Sequence, residues 1–180
     1  MNKHSQFLMM AFLLVTSSLV SVASLAGDDK KSINQALDNF HQAAANAEAK
    51  PYFDLLSEDA VFLGTDASER WTKAEFKAFV VPYFSKGRGW LYTPTERNIT
   101  LIDSTQVDSK QANSTQVKSK QVAFFDELLF SKSYGVCRGS GVLINTSAGW
   151  KISQYNLSIP MPNGIAKALV KQIKDFEPSK

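Results

Sequence analysis

The 180-residue chain has a single cysteine and only two histidines. One thiol cannot form an internal disulfide, and without a histidine pair or a cysteine cluster no metal site can be assembled at a recognised spacing. Cys137 falls in a predicted strand, where we expect it to pack as a small apolar residue. His41 follows Phe40 on a predicted helix and is interpreted as a helix-surface residue. The sequence therefore predicts neither a metal nor a cofactor.

The chain also lacks a large excess of either charge. It has 20 Lys and Arg against 17 Asp and Glu, and without its first 26 residues the balance becomes 19 against 17. This near balance gives no electrostatic reason to expect a nucleic-acid partner. No serine-nucleophile motif or phosphate-binding glycine loop is present, because the glycines at 135, 139 and 141 fall within a predicted strand.

No apolar run is long enough to span a bilayer, since Ser and Thr interrupt the first one before it reaches about 18 residues. The first 26 residues instead have the features of a secretory signal. Lys3 and His4 supply a basic start, residues 7–15 an apolar stretch, and Ser24-Leu25-Ala26 a small-x-small cleavage site. We expect residues 1–26 to be removed and the protein to be periplasmic or secreted in a bacterium. A membrane anchor is the alternative.

Helix signals dominate the first part of the remaining chain. Between residues 28 and 50, apolar residues recur at intervals of three and four, which predicts one amphipathic helix. Pro51 should stop it and fit the first turn of a shorter helix over 52–56. A short strand is predicted over 60–63.

A third helix follows a capping box, Thr72-Lys73-Ala74-Glu75, and should run from Lys73 to near Ser85. Strands are predicted over 90–92 and 98–102. Residues 104–113 are then nearly repeated by 114–123, which we interpret as a tandem insertion that lengthens a hairpin loop.

Three apolar-rich segments make up the most informative stretch of the sequence. They cover residues 122–130, 135–144 and 150–159, and polar or glycine-containing breaks separate them. Their lengths and their content of Val, Ile, Phe, Trp and Tyr predict a meander of three antiparallel strands. Asn163 should cap a last helix over 164–176, whose apolar stripe requires a partner surface on this domain or on another copy.

The meander carries a row of polar residues across an apolar surface. If residue 130 faces residue 135, Glu127 lies opposite Arg138, and Arg138 in turn lies opposite Asn156, with Gln154 on the same face. A slip of one residue replaces Glu127 by Asp126. The functional interpretation is that this row orients a small polar ligand in a mostly apolar cavity. The alternative is a structural ion pair between strands.

A second group of candidates lies in the loop before the third helix. It contains Asp66, Glu69, Arg70 and Trp71. A carboxylate that a tryptophan shields from water would have a raised pKa and could act as a general acid or base. The alternative is a set of solvated loop charges.

Five short motifs, together with the order of the elements, resemble one known family. The motifs are Phe62-Leu63-Gly64-Thr65-Asp66, Glu69-Arg70-Trp71, Phe125-Asp126-Glu127, Gly139-Ser140-Gly141-Val142, and the segment from Trp150 to Ser158. Over about residues 32–163 the chain resembles the SnoaL-like branch of the nuclear transport factor 2-like superfamily, which includes ketosteroid isomerases and polyketide cyclases.

The resemblance implies an α+β fold, a cone-shaped roll in which a curved antiparallel sheet wraps around N-terminal helices, here with an extra C-terminal helix. It implies a pocket at the wide end of the cone and dimers formed through the sheet. The domain would span residues 27–163, with residues 164–180 as a helix and tail. In the isomerases the catalytic Asp directly follows the first strand, whereas here the nearest acid, Asp66, lies farther along the loop.

From these observations the sequence predicts an exported SnoaL-like protein, a homodimer that binds a small, largely apolar molecule or assembles without catalysis. The expected ligand-binding residues are Trp71, Trp90, Arg138, Gln154, Tyr155 and Asn156. The alternative is an isomerase, cyclase or dehydratase-like enzyme. Its base would be one of three carboxylates, Asp66, Asp126 and Glu127. Tyr155 or Arg138 would then stabilise an oxyanion.

Overall fold

The computed structural model describes residues 19–102 and 121–176, with side chains from residue 27 onward. The helices are α1 (Leu19–Ala45), α2 (Ala49–Asp54), α3 (Lys73–Phe84) and α4 (Ala166–Phe176), and a 3-10 turn (Asn163–Ile165) precedes the last. The strands are β1 (Leu56–Leu63), β2 (Arg70–Thr72), β3 (Thr93–Ile102), β4 (Val122–Ser131), β5 (Gly135–Thr146) and β6 (Gly149–Ser158). The fold is the expected α+β arrangement.

Helix α1 buries one side against the sheet. Ile33, Leu37, Phe40 and Ala44 are all buried, at the three- and four-residue intervals that place side chains on one face. The helix begins at Leu19, within the predicted leader, and not at residue 28. It ends at Ala45, five residues before the predicted end, and α2 begins at Ala49.

The capping box is present at the start of α3. The Oγ1 of Thr72 accepts a hydrogen bond from the backbone amide of Glu75, and the Glu75 carboxylate accepts one from the backbone amide of Thr72 at 2.8 Å. Two local predictions near this helix were wrong. Residues 70–72 pair with β1 as strand β2, whereas they were expected to be loop, and residues 90–92 are not a strand.

The sheet has six strands in the order β2-β1-β6-β5-β4-β3. Only the β1–β6 pair is parallel; the others are antiparallel. The predicted meander is confirmed as β4, β5 and β6, each strand within two residues of its expected bounds.

The register within the meander differs from the prediction. Glu127 pairs with Gly139, and Arg138 pairs with Leu128, so the predicted pairing of Glu127 with Arg138 is wrong. The cause is the turn between β4 and β5, in which Ser131 pairs directly with Gly135. Gly135 has a φ of 70°, which glycine adopts readily, and the turn between the two strands is therefore one residue shorter than expected.

The second hairpin is also tighter than expected, and a bulge lies between Val142 and Leu143. As a result, Arg138 pairs with Ser158, and Asn156 pairs with Ser140. The predicted pairing of Arg138 with Asn156 is therefore wrong as well. The one-residue shift in the first hairpin places Arg138 on the face opposite Glu127. The shift at Arg138 in the second hairpin is two residues, so Arg138, Gln154 and Asn156 still share one face, as expected.

Helices α1, α2 and α3 cover one face of the sheet, which we call the inner face, and we call the opposite face the outer face. Packed aromatic rings fill the space beneath the helices. Phe62 stacks on Phe76 with ring centroids 3.9 Å apart and on Tyr155 at 5.5 Å, while Phe40 stacks on Tyr52 at 4.4 Å. These rings occupy the interior where an apolar chamber was expected.

The C-terminal region stands apart from this core. No residue of α4 is buried, and Pro162, not Asn163, occupies the position before the 3-10 turn, with no side-chain capping bond. The predicted cap at Asn163 is therefore wrong. Within the part of the chain that the structure describes, no helix is long and apolar enough to cross a membrane. Most of the duplicated segment, residues 104–120, lies outside the described residues.

Gly141 provides a test of the packing between the strands. A Cβ at this position would lie 2.0 Å from the backbone oxygen of Gln154 and 2.9 Å from the Phe125 ring. We expect Gly141→Ala to destabilise the fold by about 1–3 kcal/mol, because backbone cannot move aside cheaply. Gly164→Ala is the control, since nothing lies within 4 Å of the added atom. Urea unfolding measures the stability of both variants, and equal stabilities would contradict the register observed for β4, β5 and β6.

Candidate functional site

The most distinctive polar feature is a buried ionised cluster around Glu127 on the inner face. The Glu127 side chain has no exposed surface. Its Oε1 contacts the Nε2 of His41 at 2.7 Å and accepts a hydrogen bond from the Tyr155 hydroxyl at 3.0 Å, while its Oε2 accepts one from the Nε of Arg97 at 2.7 Å. We call Glu127, His41, Arg97 and Tyr155 the Glu127 cluster.

Three separate elements deliver these partners. Arg97 lies on β3 directly opposite Glu127 in the sheet register, and Tyr155 lies on β6. His41 lies on the same face of α1 as Asn34 and Asp38, which precede it by seven and three residues. The Nη1 of Arg97 donates to Asp38 Oδ1 at 2.8 Å and to the Asn34 backbone oxygen at 3.2 Å. The cluster therefore ties α1 to three strands of the sheet.

Gly139 makes room for this arrangement. It is the strand partner of Glu127, and a Cβ there would lie 2.3 Å from the Tyr155 hydroxyl oxygen and 2.9 Å from Glu127 Oε1. A side chain at residue 139 would therefore separate the hydroxyl from the carboxylate. The short distance between β6 and β4 residues across β5 depends on this glycine.

The partners keep Glu127 ionised. Burial by itself raises the pKa of a carboxyl, but the hydrogen bond and charge of His41, together with the charge of Arg97, outweigh it and hold the pKa of Glu127 below its usual value. Burial and the neighbouring Glu127 charge raise the pKa of Tyr155 well above its usual value, so this hydroxyl remains a donor. Such a carboxylate is a weak base.

Arg97 leaves one group unsatisfied. Its Nη2 is buried and has no hydrogen-bond partner among the described residues. Its Nη1 is paired with the carboxylate of Asp38, whose side chain is 59% exposed. The guanidinium therefore links a fully buried carboxylate to a solvent-exposed one, an arrangement typical of a structural ion-pair network.

The three predicted catalytic carboxylates do not share a site. Asp66 is exposed in a turn, where hydrogen bonds from the hydroxyl and amide of Ser68 lower its pKa. Asp126 is exposed on the outer face, 3.4 Å from the Asn98 amide nitrogen. Only Glu127 is buried, and its pKa is shifted in the direction opposite to that expected of a general base.

The predicted ligand-binding residues lie on both sides of the sheet. Trp71 stacks on Phe76 at 5.6 Å, Trp90 packs on Phe84 at 4.7 Å, and both belong to the packing under the helices, as does Tyr155. The remaining three lie on the outer face: Arg138, Gln154 and Asn156. The structure does not bring the six residues together.

Two surface clefts lie away from the Glu127 cluster. The larger, of about 530 Å³, lies where β1 departs from β6, and charged residues from α2, β1, α3 and β6 line much of it. Lys73 in this cleft donates to Glu58 at 2.8 Å, and Lys151 donates to the backbone oxygen of Asp54 at 2.6 Å. The smaller cleft has a volume of about 320 Å³. Neither resembles an enclosed apolar pocket.

Sequence reasoning missed His41 and Arg97 as partners of Glu127. His41 is 86 residues away from Glu127 in the sequence and Arg97 is 30 residues away, so no local motif joins them. One signal was available, because Asn34, Asp38 and His41 lie on one helical face beside the apolar stripe. Among the described residues, no group of three His, Cys, Asp or Glu side chains could hold a metal ion.

Comparisons with known proteins identify the fold. The model of the SnoaL-like domain family matches residues 33–162. A nuclear transport factor 2-like protein with a cystatin-like fold from Novosphingobium aromaticivorans superimposes with a TM-score of 0.56 at 14% identity, over 87% of this chain and 99% of that one. No curated protein matches the sequence.

Two further solved structures share the fold. A candidate dehydratase of the nuclear transport factor 2-like family from Streptomyces avermitilis has a TM-score of 0.56 at 10% identity, over 76% of this chain and 99% of that one. A protein of unknown function from Mycobacterium tuberculosis has a TM-score of 0.58 at 8% identity, over 81% of this chain and 80% of that one. At these identities the similarity establishes the fold alone.

The Glu127 cluster makes a testable contribution to stability. We expect Glu127→Gln to lower the free energy of unfolding by about 3–5 kcal/mol at pH 7, because Arg97 loses its buried partner. Asp126→Asn, one residue away on the exposed face, should change it by less than about 0.5 kcal/mol. Chemical denaturation of both variants and the parent measures these values.

The same cluster predicts a pH dependence. Because folding lowers the pKa of Glu127, its contribution is complete above the unfolded-state pKa of about 4.3 and is lost as pH falls through the lower, folded-state value. The parent protein should therefore lose stability more steeply below about pH 4.3 than Glu127→Gln does. Parallel pH profiles for the two proteins would contradict this role for Glu127.

Proposed function

The chain belongs to the SnoaL-like domain family, and we propose that it is a non-catalytic member that works by association with itself through the outer face of its sheet. The main observation behind this proposal is that Glu127 is buried, ionised and fully hydrogen-bonded. The one buried candidate base is already ionised, and the atoms that would accept a substrate proton contact three protein donors.

Catalysis at this position would require a different environment. A general base works best when its pKa lies near the working pH and when the substrate can approach within hydrogen-bond distance. Glu127 has a lowered pKa, and its side chain has no exposed surface. Asp66 and Asp126 are exposed, and neither lies in an enclosed site. The isomerase, cyclase or dehydratase-like alternative therefore has less support than a non-catalytic role.

The outer face supports association. Phe124 and Phe130 of β4 and Val136 of β5 are 46%, 49% and 57% exposed. The half-buried Val142 pairs with Phe124, and the half-buried Leu128 lies between the two phenylalanines on β4. We call these five residues the outer patch. Exposed apolar side chains grouped on an open sheet face are typical of an interface.

The proposal favours self-association over the binding of a small apolar ligand. Stacked rings occupy the interior beneath the helices, and the larger cleft is lined by charged side chains. An apolar molecule would gain little from either place, because binding energy for such ligands comes mainly from enclosed apolar surface. The outer patch instead presents exposed apolar side chains to a second copy of the chain.

We also propose that the protein is exported after removal of residues 1–26. Among the side chains of α1 that the structure describes, from residue 27 onward, Ile33 is the first buried one, and the buried residues of the helix from Ile33 to Ala44 all follow the expected cleavage site.

Cleavage can be checked in a bacterial host. Expression from Met1 should give a periplasmic or secreted protein whose first residue, by N-terminal sequencing, lies near Gly27. Replacing Ala26 by a bulky residue should block processing at this site, because small side chains are required there. An intact N-terminus in the mature, soluble protein would contradict export by this route.

Association is tested by sedimentation of the protein expressed from Met1. The parent should be a dimer at micromolar concentration, and Phe124→Asp should weaken the dimer at least about tenfold, because it places a charge within the outer patch. Leu91→Asp is the control, since Leu91 is 59% exposed but lies outside the sheet. A monomeric parent, or equal effects of the two variants, would overturn the proposal.

A further inference from the structure

We draw no further inference here: the strongest candidate, the apolar stripe of α4 that Leu169, Ile173 and Phe176 form on one side of the last helix, carries none because nothing in the structure shows what covers it.

Discussion

One buried negative charge joins helix α1 to three strands of the sheet. An ionised carboxylate can be buried only if hydrogen bonds and opposite charge replace its water, and Glu127 obtains these from α1, β3 and β6. Each donor constrains a different element. His41 links α1 to β4, Arg97 links β3 to β4 within their paired register, and the Tyr155 hydroxyl of β6 reaches Glu127 of β4 across Gly139.

The way this charge is stabilised also limits what the interior can do. The carboxylate is occupied by its donors, and the remaining space beneath the helices is filled by stacked rings such as Phe62, Phe76 and Tyr155. The interior beneath the helices is packed and ion-paired. Among the described residues, the outer patch and the stripe of α4 are apolar surfaces that remain exposed.

Local features of this fold were predictable from the sequence, and distant contacts were not. The capping box of Thr72 and Glu75 and the three strands of the meander depend on neighbouring residues, and both were predicted. The register was not, because it depends on the exact length of a turn, and the left-handed conformation of Gly135 shortened that turn by one residue. That single step separated Glu127 from Arg138 and moved them to opposite faces.

The candidate site illustrates the same limit. Glu127 was selected from its strand, but its partners come from helix α1 and from the strand before the duplicated segment, and no short-range spacing relates them. Once the partners are known, the interpretation of Glu127 changes from a base to a structural anion. The most direct test is the ionisation of Glu127 itself, followed by carbon-13 NMR of its carboxyl group during an acid titration. A pKa below the usual value of about 4.3 is predicted, and a pKa raised above it would contradict the central claim.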